Sequence, residues 1–336
     1  MQAGPIAPME TQGKKHLGHW WRHAIFALAL VCLGSAARGQ MFSRALQEAW
    51  SGQDLAETHD HPVIETAGHV SNQSSDSQVF WWDSFGKVRF NRNDPDSPLI
   101  EYRLLTIGAG TEGSSIKATM DEIDAALGFH VGKLGDWDVA AMLGAGFSST
   151  HPFVNSTGVF GIGHLTAEQA IDRQNSLLVS VDYQGNSGLL PDIPLPGFAW
   201  IHRSKSFDAL MGYPLSRIRW QMTQRLVFAL QYNVPYSADA DLEYRITRHL
   251  GLYANAANFC QGFVLASGDI TNRQFYQMRR VEAGVRFIRQ PLIDASIGVG
   301  YAFDQEFSSG YDVQNLQPIG QISNEPYLAL VVRGTF

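Results

Sequence analysis

Apolar and polar side chains alternate at every second position through most of the chain after Pro98. The stretch ADADLEYRIT (238–247) is the clearest case, because its even positions are apolar or aromatic and its odd positions are polar or charged. A helix would scatter the two sets around its circumference, whereas a β-strand sorts them onto opposite faces. The pattern therefore predicts a strand over 238–247.

The same alternation recurs along the chain, separated by turn residues, and helical periodicity is almost absent after residue 98. The other clear stretches are 123–131, 137–147, 177–183, 225–232, 250–256, 279–287, 293–303 and the terminal run 326–336. Fainter ones are 99–107, 155–163, 195–203 and 207–220. We therefore predict an all-β fold with a single antiparallel sheet of about 12 strands, with a range of 10–14.

Alternation alone does not distinguish a soluble β-sandwich from a transmembrane barrel. Three features favour the barrel over residues 99–336. The strands are about ten residues long, which is nearer to the length that crosses a bilayer than to the five or six of soluble proteins. Small residues such as Ser296, Gly298 and Gly300 share the polar face, and aromatic residues gather near strand ends. The sequence therefore predicts an antiparallel transmembrane β-barrel.

The chain ends on the alternating run PYLALVVRGTF (326–336), which places Phe336, Val332, Leu330 and Leu328 on one face. This run resembles the C-terminal signature of bacterial outer-membrane proteins, although Gly334 stands where an aromatic residue is commoner. The resemblance implies that the barrel-assembly machinery recognises this strand during biogenesis. The alternative is the final buried strand of a soluble β-protein.

A wider resemblance covers most of residues 98–336. It is carried by LPGFAWIHR (195–203), LMGYPLSRIRWQMTQRL (210–226), LEYRITRHLGLYA (242–254) and GVGYAFDQEF (298–307). These segments are similar to an uncharacterised family of predicted bacterial outer-membrane β-barrel domains. The resemblance implies a fold and a location, and it supplies no catalytic residues.

The N-terminus predicts export. Lys14, Lys15 and Arg22 precede the short apolar segment AIFALALVCLGSAA (24–37), whose final small residues suit a cleavage site. We predict a secretory signal peptide over 1–37, Sec-type export and a final place in the outer membrane of a Gram-negative-type envelope, with outer-membrane lipid as a partner. The polar residues 38–98 are predicted to be an N-terminal extension, a linker or a plug.

Composition excludes some classes of partner and restraint. The charged fraction is 17% and the net charge is −7, so the chain has no basic stripe and nucleic acid is not an expected partner. The two cysteines are Cys32, inside the predicted signal peptide, and Cys260. Cleavage of the signal would leave one thiol, so no internal disulfide is expected.

Charged side chains are predicted to line the lumen of the barrel. They are Asp239, Asp241, Glu243, Arg245, Arg280, Glu282, Arg286, Asp294 and Arg333. Two hypotheses fit them: they set up a transverse field that filters solutes by charge, or they pair with one another and brace the wall.

Chemistry other than transport has weak support in the sequence. His130 could act as a base or could simply be a polar residue of the lumen, and no GxSxG motif is present. The HDH triplet (59–61) has no evident third ligand. We predict no metal, no cofactor and no enzymatic activity.

The favoured function is a passive channel or transporter for an unidentified small solute. The alternatives are a barrel-borne hydrolase, or a structural or adhesive surface protein that uses a long loop predicted over 303–326. A fourth possibility is that 38–98 acts as a plug for hydrophobic cargo. This ranking rests on what the barrel architecture usually does.

Overall fold

The structure is a computed structural model. It describes residues 77–91, 94, 96–111, 119–151, 156–233, 237–265, 267–269, 271–289 and 293–334. The predicted signal peptide, residues 38–76 and Phe336 lie outside this part of the chain. Within the described ranges, no helix is long and apolar enough to cross a bilayer.

Sixteen strands and one 3-10 turn (Ser156–Gly158) make up the described part of the fold. The first eight strands are β1 (Ser77–Arg89), β2 (Leu99–Thr111), β3 (Thr119–Leu134), β4 (Trp137–Ser149), β5 (Val159–Ala170), β6 (Asn175–Gln184), β7 (Leu195–Arg203) and β8 (Phe207–Tyr213). The remaining strands are β9 (Leu215–Gln221), β10 (Leu226–Asn233), β11 (Ser237–Arg245), β12 (Leu250–Phe263), β13 (Arg273–Arg289), β14 (Ile293–Gly310), β15 (Gln317–Ile322) and β16 (Glu325–Gly334).

All of these strands belong to one sheet in which consecutive strands from β1 to β15 pair in antiparallel fashion. Both β15 and β16 pair with β14, the first along 305–309 and the second along 293–302. The sheet curls until the inner face of β1 meets that of β12, with the Trp81 and Phe259 ring centroids 4.0 Å apart. No ladder joins β1 to the β15–β16 edge among the described residues. The predicted all-β, antiparallel barrel architecture is confirmed.

The strand number exceeds the predicted range of 10–14. Ser77–Arg89 forms β1 and pairs with β2, although the sequence predicts an extension over 38–98. The inward face of β1 mixes Trp81, Asp83 and Phe85, all buried, so no apolar–polar alternation marks it in the sequence. Among the described residues the sheet therefore begins at Ser77 and not at residue 99. In addition, the single candidate 207–220 is the hairpin of β8 and β9.

The prediction of a long loop over 303–326 is wrong. The strand β14 continues to Gly310, and β15 and β16 contain most of the remaining residues, so only 311–316 and 323–324 lie outside strands. The polar residues that suggested a loop are buried between strands: Gln305 and Ser308 each lie under 4% exposed. A strand whose inward side carries polar side chains has a sequence that resembles that of a loop.

The outer surface is an apolar belt, here defined as the exposed apolar side chains of the strands. On β13, Val281 and Val285 point outward, and Glu282 and Arg286 on the same strand point inward. On the C-terminal strand Leu328 and Leu330 are about half exposed. Further members of the belt are Ile123, Leu127, Val131, Leu143, Leu165, Val179, Phe198, Trp200, Leu252, Ile297, Val299 and Val332. The apolar faces therefore point outward, as predicted.

The two ends of the sheet differ. We call one the turn end, because short connections join the strands there: 135–136, 171–174, 204–206, 222–225 and 246–249. The other is the loop end, where the longer loops 185–194 and 311–316 lie. The division is not strict, because nine residues separate β1 from β2 at the turn end and one residue separates β8 from β9 at the loop end.

The loop-end half of the interior is filled by an apolar cluster. Its largest members are aromatic: Trp81, Phe259, Tyr276 and Phe307 are all under 5% exposed. The Tyr276 and Phe307 ring centroids lie 5.0 Å apart, within the usual range for a favourable aromatic pair. The cluster joins the inner faces of β1–β3 to those of β12–β16.

A buried polar network lies beside this cluster. The Arg103 guanidinium donates to both carboxylate oxygens of Asp83, at 3.1 and 3.2 Å, and to Glu122 Oε1 at 3.3 Å. The other Glu122 oxygen accepts from Asn186 Nδ2 at 2.7 Å and from Gln261 Nε2 at 2.8 Å. Because Arg103 and Glu122 are fully buried, these bonds replace water that neither group can reach.

Candidate functional site

The turn-end half of the interior is hollow, and two cavities stand out among its described residues. Cavity 1, of about 240 Å³, is lined by residues of β1 to β7 and the turns between them. Cavity 2, of about 380 Å³, is lined by residues of β9 to β14 and β16. Cavity 2 has a volume in the range of small-molecule sites, and it holds almost every charged residue predicted from the sequence.

Five carboxylates and four guanidinium groups of the described chain line cavity 2. The acids are Asp239, Asp241, Glu243, Glu282 and Asp294, and the bases are Arg219, Arg245, Arg280 and Arg286. The period-2 pattern could identify eight of these nine, because it sorts β11, β13 and β14 cleanly into two faces. Arg219 was missed, since the β8–β9 hairpin interrupts the alternation. Arg333 lies opposite Asp294 in the β14–β16 register.

Arg286 is the centre of the charge cluster in cavity 2. Its Nη1 lies 2.7 Å from Glu243 Oε2 and 3.8 Å from Asp241 Oδ1, and its Nε lies 3.9 Å from Asp294 Oδ1. The guanidinium also stacks 5.3 Å from the centre of the Tyr253 ring. The other Glu243 oxygen accepts from Arg245 Nε at 2.8 Å. The Arg286–Glu243 pair therefore links β13 to β11 and supports the bracing hypothesis at this point.

Two tyrosines hold the single acid of β13. Tyr253 and Tyr327 donate their hydroxyl protons to the two carboxylate oxygens of Glu282, the second at 2.9 Å. The rings lie against Gly298 and Gly300, where an added Cβ would overlap them. The small residues of the inward face of β14 therefore accommodate aromatic rings at these two positions. Glu282 is thus fixed in position at the wall.

The remaining predicted charges lie along the walls of cavity 2. Asp239 accepts from Asn255 Nδ2 at 3.0 Å, across the β11–β12 ladder. Arg280 points towards the loop end, with its guanidinium carbon 5.7 Å from the centre of the Trp81 ring. The described lining of the cavity therefore presents separate acidic and basic groups on neighbouring strands, with a single excess carboxylate.

Cavity 1 contains the histidine that the sequence offers as a base. His130 Nδ1 lies 3.0 Å from Asp96 Oδ1, and its Nε2 lies 2.5 Å from Asp138 Oδ1. Both ring nitrogens therefore face carboxylates, which favours a clamp between the β1–β2 connection and β4 over a general base. Nearby, Arg203 Nη1 lies 2.7 Å from Glu168 Oε1. No group of three or more potential metal ligands occurs in the described part of the chain. The HDH triplet at 59–61 lies outside it.

Comparisons with known proteins give little beyond this geometry. No family model and no curated protein sequence matches the chain, so the resemblance to predicted outer-membrane barrel domains stays a prediction. The fold is similar to the NanC porin, with a TM-score of 0.30 and 8% identity over 81% of this chain and 100% of that one. It is also similar to the CymD monoaromatic hydrocarbon channel, with a TM-score of 0.36 and 9% identity over 89% of this chain and 94% of that one. Both TM-scores lie below 0.5, so functional inference has to rest on the chain's own geometry.

Proposed function

We propose that this protein spans the outer membrane and is a passive channel for small hydrophilic solutes. One observation carries the proposal: the same strands expose apolar side chains on the outside and turn charged side chains towards internal cavities. On β13, for example, Val281 and Val285 are exposed while Glu282 and Arg286 line cavity 2. An apolar surface of this extent suits lipid and not water.

The lining of cavity 2 sets the class of solute. Its volume of about 380 Å³ fits a small molecule and not a polymer. Carboxylates and guanidinium groups both face the cavity, so polar and zwitterionic solutes find partners there. The excess of one carboxylate over the four arginines of the described lining favours a slight preference for cations.

The route to the membrane belongs to the same proposal. Residues 1–37 would direct Sec-type export, and the terminal strand with Leu328, Leu330 and Val332 outward would be bound by the barrel-assembly machinery. The outward orientation of these three side chains, which are 38–52% exposed, supports that use. Outer-membrane lipid would then surround the apolar belt.

The test is conductance in a planar lipid bilayer with purified, folded protein. We expect stepwise conductance and a weak cation preference in a salt gradient. Asp241→Asn should lower the ratio of cation to anion permeability, and Arg286→Gln should raise it. Each change should be about twofold to fivefold, the effect of roughly 0.5–1 kcal/mol of charge interaction in a wet site.

Matched controls are available outside cavity 2. Asp304→Asn and Arg279→Gln change the same charges on β14 and β13, in a pair joined at 2.7 Å, and should leave the permeability ratio unchanged. An absence of conductance steps from wild type and all variants would refute the channel. Equal shifts from both sets of variants would remove cavity 2 from the permeation path.

A further inference from the structure

The loop between β6 and β7 reaches across to the opposite side of the sheet. The loop 185–194 begins beside β5, where Gly185 N donates to Gly161 O at 3.0 Å. It then contacts the 311–316 loop between β14 and β15, where Val313 N donates to Gly188 O at 2.9 Å. Because β6 and β14 lie eight strands apart in the sheet, the loop joins two distant parts of the sheet at the loop end.

A buried pair of side chains holds the loop in this position. Arg273, the first residue of β13, donates through Nη1 to the Asn186 backbone oxygen at 3.1 Å and to Asn186 Oδ1 at 3.0 Å. Its Nη2 donates to Ser187 O at 2.9 Å. Asn186 in turn donates to Glu122 Oε2 at 2.7 Å and to Gly262 O at 3.1 Å. We call Asn186 and Arg273, each under 4% exposed, the loop lock.

An apolar contact and a strained backbone accompany the loop lock. Leu189 packs in a buried cluster with Cys260, Phe275, Val313 and Leu316. In the same loop, Leu190 and Asp192 have φ values of 51° and 62°. Residues other than glycine rarely adopt this left-handed conformation, and it persists only where the surroundings impose it. The surroundings therefore hold the backbone of the loop in a conformation that is rarely populated.

We infer that the loop 185–194 is a gate, closed in this structure, over the loop-end mouth of the pathway that starts in the turn-end cavities. The inner faces of β1–β3 and β12–β16 are already packed together by the aromatic cluster. At the loop end β4 is also joined to β12, where Thr150 N donates to Val264 O at 2.9 Å, so the gate would close the part of the mouth bordered by β5–β11. This inference rests on the proposed channel function. It goes beyond that function because it assigns the closure of the channel to Asn186 and Arg273.

The test uses the Cys260 thiol as a reporter that is independent of conductance. Cys260 is fully buried in the cluster with Leu189, so a charged maleimide should label it only when the loop has moved. Asn186→Ala removes both the donor to Glu122 and the side-chain acceptor for Arg273, and Arg273→Met removes the donors while it keeps an aliphatic side chain beside Phe275. Both variants should speed labelling of the folded full chain about tenfold or more, as loss of a charge-assisted hydrogen bond predicts. Both should also lengthen the open dwell times in bilayers.

The controls separate the gate from the channel. Arg279 lies on the same strand and pairs with Asp304, so it provides the control. Arg279→Met should match wild type in both measurements. Cys260→Ser gives the background of labelling. Unchanged labelling in both lock variants would overturn the lock, and faster labelling with unchanged dwell times would overturn the gate. If wild type conducts and the lock variants behave like wild type, the gate is refuted and the channel function is not. If neither wild type nor the two lock variants conduct, the channel function itself is refuted.

Discussion

The two halves of the interior contain the same types of charged side chain, but one half is packed and the other is hollow. At the loop end, Arg103 is fully buried, and each of its carboxylate partners is held in a dense network. At the turn end, Arg286 has a comparable set of acidic neighbours but borders a cavity of about 380 Å³. Inward-facing charge therefore does not by itself indicate a hollow lumen. What separates the halves is the aromatic cluster, which excludes water from one of them.

The outer surface also differs between the two halves. On β12 to β14 the apolar belt covers the turn-end half, for example Leu252 and Val299, while Phe275 and Cys260 nearer the loop end are buried under loops. The part of these strands that carries the apolar belt is thus hollow inside, and the part beyond the belt is packed on both faces. The proposed channel, with its closure beyond the belt, fits this division.

The largest effect is expected from a break in the packed half. Arg103→Ala leaves Asp83 and Glu122 buried without their cation, so unfolding should become easier by about 3–5 kcal/mol. Urea unfolding in lipid vesicles, followed by tryptophan fluorescence, measures this free energy.

The sharpest comparison is the same substitution in the hollow half. Arg286→Ala should cost only about 1.5 kcal/mol, the value of one charge-assisted hydrogen bond, because water can enter cavity 2 and solvate the carboxylates that remain. Equal losses for the two variants would contradict the division into a dry and a wet half.

The next largest effect concerns the outside of the hollow half. Leu143 lies at the middle of β4 and is 61% exposed, so Leu143→Arg would place a charge in the hydrocarbon region. We expect a loss of about 2–4 kcal/mol in vesicles, as for arginine at the bilayer midplane. Leu134→Arg, at the turn end of β3, is the matched control and should cost about 0–1 kcal/mol. Similar small costs at both positions would mean that the belt faces water.

The sequence could predict the two faces of the sheet but not how the interior is divided. Period-2 alternation identified strands such as 123–131 and 279–287 because one of their faces is uniformly apolar. It failed at β1 and at the loop-end part of β14, where the inward side mixes aromatic with charged or polar groups, although side chains on the outer side of β1 such as Phe80 are exposed. The alternation rule assumes one uniformly polar and one uniformly apolar side, and the inward side of these segments is neither.

The charged lining of cavity 2 was predictable for the same reason, since β11, β13 and β14 are two-faced there. The lock was not predictable, because Asn186 lies in a loop and Arg273 begins a strand, and nothing in their spacing joins them. Glu122 gave no signal either: its partners Asn186 and Gln261 are 64 and 139 residues away. Contacts at such separations arise from the curl of the sheet, which the local pattern does not encode.

The last prediction tests the boundary between the two halves. Tyr327 belongs to the aromatic cluster on one side and donates to Glu282 of cavity 2 on the other, and its ring occupies the space above Gly300. Gly300→Ala should force the ring away and cost about 1–3 kcal/mol, as overpacking does. Gly163→Ala is the control, because its new Cβ would meet its nearest neighbour at an ordinary 3.8 Å.

A double-mutant cycle decides whether the Tyr327 ring causes the destabilisation by Gly300→Ala. In a Tyr327→Ala background the space above residue 300 is vacant, so Gly300→Ala should lose most of its cost, and the coupling should reach about 1–3 kcal/mol. If Gly300→Ala costs the same with and without the ring, tyrosine packing does not set the boundary. Conductance of the same variants in bilayers gives a second measurement. Displacement of the Tyr327 ring should enlarge cavity 2 towards the loop end and raise conductance, because the packed half begins at this ring.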